Sequence, residues 1–182
     1  MTIAVTVAGE QDVSEARRVM SRVLEEDLGG FRERWHGDVK DPVVAYLRAD
    51  RAALFVGRRE GEDGPVLGTA AVRPCVLQSP PNPAWLAERY TDPAVCELRR
   101  VWVPAESRRQ GVAAALVRAA SHWAVTTGGF RTVYLHTDTS APGAEAFWRA
   151  MPTVEVHDCR PDPYNCVHFV LDLAKLRRGN DR

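Results

Sequence analysis

The chain has 182 residues, with 24 basic and 24 acidic side chains and a net charge of zero, which argues against the clustered positive charge of a broad nucleic-acid surface. With 45% hydrophobic and 26% charged residues, the composition is globular, and the length fits a single domain over 1–182 with a substantial core. No apolar run reaches the roughly 20 residues of a membrane span, residues 1–10 lack the regions of a secretory leader, and four irregularly spaced cysteines predict a reducing, cytoplasmic setting.

Residues 2–7 alternate and are rich in β-branched side chains, which predicts a strand. Val13, Ala16, Val19, Met20 and Val23 recur at helical spacing, which predicts a helix over 13–26 capped by Asp12. Residues 27–41 are polar, with Gly29, Gly30 and Gly37, and predict a loop or broken helix; 43–47 predict a short helical turn. Strands at 52–58 and 66–77 form a hairpin around a turn at 60–65. Residues 79–93 carry Pro80, Pro81, Pro83 and Pro93, and predict an irregular insertion with a short helix near 85–89. A strand at 95–103, a turn at 104–109 and a helix at 110–126 follow, the helix ended by Gly128 and Gly129. A strand at 132–137, a helix at 143–151 and a hairpin of 154–159 with 166–173 complete an α/β order with mixed strand direction.

Residues 97–115 carry the most chemistry: a strand, a turn with Arg108 and Arg109, then Gly111 opening a helix. A helix start exposes backbone N–H groups and the positive end of the helix dipole, which suits an anion. Gly111 and the small Ala113 permit close approach to that backbone, and two guanidinium groups add charge-assisted donors. The pattern reads as a diphosphate site at a strand–helix junction. Neither GxxxxGK[ST] nor a GxGxxG following a strand is present, which disfavours nucleoside triphosphate and dinucleotide chemistry.

Arg108-Arg109-Gln110-Gly111-Val112-Ala113 resembles the [Q/R]-x-x-G-x-[G/A] motif of the GNAT superfamily of N-acetyltransferases. The context strengthens the likeness. Glu97-Leu98-Arg99-Arg100-Val101-Trp102-Val103-Pro104 is similar to the E-[IL]-x-x-[LV]-x-V-x-P strand that precedes this loop in the family, and Ala144-Glu145-Ala146-Phe147-Trp148 resembles its A-x-x-F-Y helix segment. The resemblance implies a mixed, strongly twisted sheet flanked by helices, with the strands around Val101 and Leu135 splayed apart. It implies that Arg108, Arg109, Gln110, Gly111, Val112, Ala113 and Ala114 bind the pyrophosphate of acetyl-CoA, largely through backbone amides. It further implies that Val101, Trp102 and Val103 line the pantetheine arm, with Trp148 as a neighbouring wall, and that the reaction is acetyl transfer to a primary amine. Three positions depart from the pattern: Ala141 stands where the family often has Asn, Trp148 where it has Tyr, and Pro152-Thr153 where it has Gly-Phe. The resemblance therefore assigns no general acid.

Each candidate has a plainer reading beside it. Arg108 and Arg109 also suit an ordinary charged surface, and Val101, Trp102, Val103 and Trp148 suit a core. Glu97 is either a salt-bridged strand residue or the catalytic carboxylate. An amine with a pKa near about 10 is overwhelmingly protonated at neutral pH, only the neutral form attacks a thioester, and a carboxylate, directly or through water, can take that proton. His136, on the strand beside the expected site, and Tyr164, in the last hairpin turn, are candidates for a replacement acid. His157, Cys159, Cys166 and His168 share one hairpin face if Cys159 pairs with Cys166. Ordinary packing is favoured for them over a metal site or a disulfide, since two strands do not readily offer four tetrahedral ligands. The expected partners are acetyl-CoA and an amine, with no nucleic acid and no membrane. A different acyl-CoA donor, such as succinyl-CoA, or a silent acyl-CoA-binding domain are the alternatives.

Overall fold

The computed structural model describes residues 2–61, 64–161 and 163–178. Its elements, in chain order, are β1 (Ile3–Val7), α1 (Glu10–Asp27), α2 (Glu33–Lys40), a π turn (Val43–Leu47), β2 (Ala53–Arg59), β3 (Gly68–Pro74) and α3 (Ala84–Arg89). There follow β4 (Val95–Trp102), a 3-10 turn (Ala105–Ser107), α4 (Val112–Thr126), β5 (Thr132–Asp138), α5 (Ala144–Ala150), β6 (Thr153–Asp158), β7 (Cys166–Leu171) and α6 (Leu173–Arg178). Among the described residues the strands form a seven-stranded sheet in the order β1-β2-β3-β4-β5-β7-β6, with β1/β2, β2/β3, β5/β7 and β7/β6 antiparallel and β4 parallel to β5. This is the mixed α/β architecture expected from the sequence. The described residues divide into two compact units, those within 2–73 and 98–123, and those within 74–97 and 124–178.

In the first unit, α1 lays Ala16, Val19, Met20 and Leu24 on a core with Tyr46, Leu54, Val56, Val66 and Ala71. The helix starts two residues before the expected Asp12 cap. Asp12 sits in the first turn instead, where its carboxylate accepts the Gly9 N–H at 2.9 Å. The same carboxylate pairs with Arg58 of β2 at 2.9 Å, so one side chain ties the helix start to the sheet. The polar stretch after α1 holds α2, kinked at His36, whose Nδ1 accepts the Arg32 N–H at 2.9 Å and secures the helix start. The expected turn at 60–65 includes residues 62 and 63, which lie outside the described residues.

In the second unit, Leu86 and Tyr90 of α3 pack with Cys75, Val95 and Tyr134. The parallel ladder runs Val95↔Thr132, Cys96↔Val133 and Glu97↔Tyr134. Strand β7 ends at Leu171, two residues short of the expected 173, and Leu173 opens α6 instead. Only Leu173, Ala174 and Leu176 are apolar in that six-residue helix, too few for a helical period to stand out. The last hairpin has Cys159 N–H donating to Cys166 O at 2.9 Å and His157 opposite His168, the pairing anticipated, with a bulge between Glu155 and His157. Its turn contains residue 162, outside the described residues.

Two buried histidines make stability pH-dependent. Burial, reinforced by Arg100, lowers His36 to about 4; burial, reinforced by His136 and His157, lowers His168 to about 3. Above pH ~6.5 both are neutral whether folded or unfolded, and they add no pH dependence. Below it the unfolded chain binds protons that the folded chain refuses, so stability is lost as pH falls towards the folded values. Each group withdraws about 1.4 kcal/mol per pH unit in that window. The urea midpoint should hold steady above pH 7 and fall between pH 6.5 and 5; a flat midpoint across that range would contradict the two assignments.

Candidate functional site

In the first unit, the loop between β4 and α4 is braced on α1. Arg108 Nε donates to Val103 O at 2.9 Å, and its guanidinium pairs with Asp27. Glu106 pairs with Arg22, and Gln110 Nε2 donates to Glu106 O at 2.9 Å. Arg109 and Gly111 both take left-handed backbone, with φ of 61° and 82°. The first carbonyl bonded into α4 is Gly111 O, which accepts from Ala115 N–H at 3.0 Å. By helix geometry the N–H groups of Val112, Ala113 and Ala114 have no carbonyl to reach within α4. Arg109 is exposed, whereas Arg108 is turned into the protein as a brace.

Gly111 is needed for a reason beyond close approach. A Cβ there meets nothing within 4 Å, but φ of +82° is a conformation that side-chain-bearing residues resist. Gly68, at the start of β3, is constrained by space instead. Its Cβ would lie 2.9 Å from Trp102 O and 3.0 Å from both Val103 and Val112, so β3 lies directly against the residues on either side of the loop.

The strand feeding the loop carries its own device. Arg100 sits within β4 at φ 53°, which breaks the alternation of neighbouring side chains. Both Arg99 and Arg100 reach Asp38 of α2: Arg100 Nε and Nη2 donate to the two carboxylate oxygens at 2.8 and 2.6 Å, and Arg99 Nη2 lies 3.6 Å away. Tyr46 donates its hydroxyl to the same carboxylate. Burial alone would raise the Asp38 pKa, but the guanidinium groups and the hydroxyl hold it well below the usual carboxylate range. Trp102 lies with the Arg100 guanidinium 4.7 Å from its ring centre; Val101 is half-buried and Val103 buried.

In the second unit, Glu97 is almost wholly enclosed, and its Oε1 lies 3.4 Å from Nδ1 of His136. The histidine side chain is 41% exposed and the carboxylate 4%. Tyr134, paired with Glu97 across the ladder, has its hydroxyl 2.6 Å from His168 Nδ1, and His168 Nε2 lies 3.1 Å from Cys159 Sγ. The His136 and His168 rings are 5.9 Å apart, and His168 and His157 stack at 6.0 Å. Burial, with a contribution from Glu97, pushes Tyr134 above the ordinary tyrosine range, so its hydroxyl stays protonated. Trp148 is buried, edge-on to Phe147, and Tyr164 is exposed at the hairpin turn. Cys159 and Cys166 are both thiols, and among the described residues no group of three or more His, Cys, Asp and Glu side chains is placed to hold a metal ion. Sequence reasoning singled out Glu97, His136 and His168 but missed Tyr134 as their neighbour. The available signal was the polar residues at alternate positions of 132–137 and 166–171, which only the register His136↔His168 brings into one row.

The acetyltransferase (GNAT) family model matches residues 20–151, which is most of the chain and includes β4, the loop, α4 and α5. The chain belongs to the GNAT family of acetyltransferases. Solved GNAT structures share the fold. A GNAT-family acetyltransferase from Staphylococcus aureus Mu50 superposes with a TM-score of 0.69 at 10% identity, covering 93% of this chain and 98% of that one. The aminoglycoside acetyltransferase AAC(6')-Ib, solved with coenzyme A, gives 0.67 at 16% identity, covering 98% and 99%. A GCN5-related N-acetyltransferase from Kribbella flavida gives 0.59 at 20% identity, covering 92% and 95%. No curated protein sequence matches this GNAT chain. Among its described residues no helix is long and apolar enough to cross a membrane.

Proposed function

We propose that this protein is a cytoplasmic, single-domain N-acetyltransferase that moves an acetyl group from acetyl-CoA to a primary amine. The observation that carries the reading is the left-handed loop at Arg109 and Gly111, which opens α4 with the N–H groups of Val112, Ala113 and Ala114 unbonded within the helix; in the second unit, Glu97 is a buried carboxylate beside His136. The loop fits a pyrophosphate: the N–H groups of Val112, Ala113 and Ala114 supply donors, and exposed Arg109 adds charge. Arg108 acts on this site through the loop it braces. Val101, Trp102, Val103 and Trp148 are the proposed contacts for the pantetheine arm, and Gln110 completes the loop by holding its own turn closed. Coenzyme A bound to AAC(6')-Ib supports the choice of donor.

Glu97 supplies the charge that draws a proton from the incoming ammonium, leaving an amine that attacks the thioester carbonyl. No strong acid is required for the leaving thiolate, because a thiol with a reference pKa near about 8.5 departs readily. Trp148 is therefore compatible with turnover at the family's usual tyrosine position. The test is release of free CoA thiol from acetyl-CoA with a panel of small amines, peptides with free N-termini, lysine peptides and an aminoglycoside, with succinyl-CoA as a second donor. Thiol release that requires one amine class is the expected result. Tight acetyl-CoA binding with no release for any amine would instead identify a silent acyl-CoA-binding domain.

A further inference from the structure

The carboxylate proposed to draw the proton is almost completely enclosed, while the imidazole against it is not. An amine arriving from solvent meets His136 more readily than Glu97, and the two side chains stand 3.4 Å apart through Oε1 and Nδ1. We propose that His136 is the group that takes the proton from the amine, and that Glu97 is its positioning residue. Glu97 would orient the ring through Nδ1 and stabilise the imidazolium, leaving Nε2 to accept. A separation of 3.4 Å is long for a formed hydrogen bond, and such contacts commonly tighten when substrate is bound. The inference rests on the acetyl-transfer reading and says which side chain performs its proton step.

The surroundings favour His136 over the other histidines of the row. The groups around it are Glu97 from β4, Tyr134 on its own strand and His168 from β7, with His157 of β6 and Cys159 beyond His168. His168 is fully buried and held neutral, and Tyr134 stays protonated. Neither adds a charge beside His136, and Glu97 is the carboxylate against it. A base as weak as His168, at about 3, cannot draw the proton from a thiol such as Cys159. The Cys159–His168–Tyr134 chain, in which Cys159 is half-buried, therefore does not form a second nucleophile.

The protons balance. The ammonium gives one proton to His136, which passes it to water at its exposed edge. The neutral nitrogen attacks the carbonyl, the C–S bond breaks, and the second proton leaves the new amide nitrogen for the CoA thiolate. The products are the amide, CoA thiol and one solvated proton.

Two measurements on the full chain test the assignment. In the pH profile of kcat/KM, His136→Gln should lose about a hundredfold near neutral pH, lose less as pH rises, keep its acetyl-CoA affinity, and recover partly with free imidazole. Glu97→Gln should keep an acid limb but displace it to lower pH, because the imidazolium has lost its carboxylate. The second measurement needs no turnover. NMR titration of the His136 ring should show it titrating at lower pH in Glu97→Gln than in wild type, because the imidazolium has lost its carboxylate. An active enzyme indifferent to His136→Gln, or a His136 titration unchanged in Glu97→Gln, overturns the assignment while leaving acetyl transfer intact. A wild-type protein that releases no thiol with any amine overturns both.

Discussion

Replacing Gly111 with valine is expected to abolish acetyl-CoA binding while leaving the protein folded. The fold survives because a side chain at 111 points into open space, with nothing within 4 Å of its Cβ. Binding fails because φ of +82° is a genuine outlier for a β-branched residue. The left-handed conformation costs an ordinary L-residue about 1–2 kcal/mol and valine more. The chain relieves that strain by swinging residues 109–111 out of their present turns, and the first N–H groups of α4 move with them. Hydrogen bonds to a charged acceptor are worth about 1.5–3 kcal/mol each, so misaligning two weakens binding by at least about a hundredfold. Calorimetry on the folded variant measures this. Gly111→Asn separates the two roles of the glycine, because asparagine tolerates left-handed backbone. If conformation is what matters, Asn retains most of the affinity; if close approach matters, Asn fails as valine does. Unchanged affinity in the valine variant would place the pyrophosphate elsewhere.

The largest effect on stability is expected at Asp38, which belongs to no motif in the sequence. Asp38→Ala leaves Arg100 and Arg99, with side chains only 10% and 14% exposed, without the carboxylate that both approach. It also takes the acceptor from the buried Tyr46 hydroxyl. Removing one partner of a buried ion pair typically costs about 3–5 kcal/mol, a large part of the stability of an ordinary domain. Denaturant unfolding should show either that loss or a chain unfolded at 37 °C. Asp38→Asn preserves shape and hydrogen-bonding capacity but not charge, and should fall between alanine and wild type. A loss under about 1 kcal/mol for alanine would mean that water replaces the carboxylate without difficulty.

What the sequence disclosed and what it withheld follow one division. Strands β1 and β5 and helices α1 and α4 were legible because their apolar residues repeat at the period of the element, and β2 and β4 as short apolar-rich runs of strand length. The turn into α4 was legible because Gly111 follows two arginines at the end of a strand, and the structure gives that glycine a left-handed backbone. Helix α2 was not separated from a loop or broken helix, because Gly29, Gly30 and Gly37 punctuate a polar stretch and its anchors, His36 on Arg32 N–H and Asp38 on Arg100, show no apolar period. The left-handed Arg100 was invisible, since arginine carries no preference for that backbone and is held there by a residue about 60 positions earlier. The Glu97–His136 contact was likewise beyond reach: both residues were candidates, but their meeting depends on a parallel register between strands joined through a helix.

The narrow space at Gly68 bears on how this protein can change over generations. Two of the three atoms that a side chain there would meet belong to Val103 and Val112, which drift could trim to alanine. The third is the carbonyl oxygen of Trp102, closest of all at 2.9 Å, and no codon change alters a main-chain atom. A compensating partner elsewhere in the sequence therefore cannot unlock position 68 by itself. Lineages are expected to keep glycine there while α1 and the outer loops diversify, and a deep mutational scan should find position 68 intolerant on every genetic background tried.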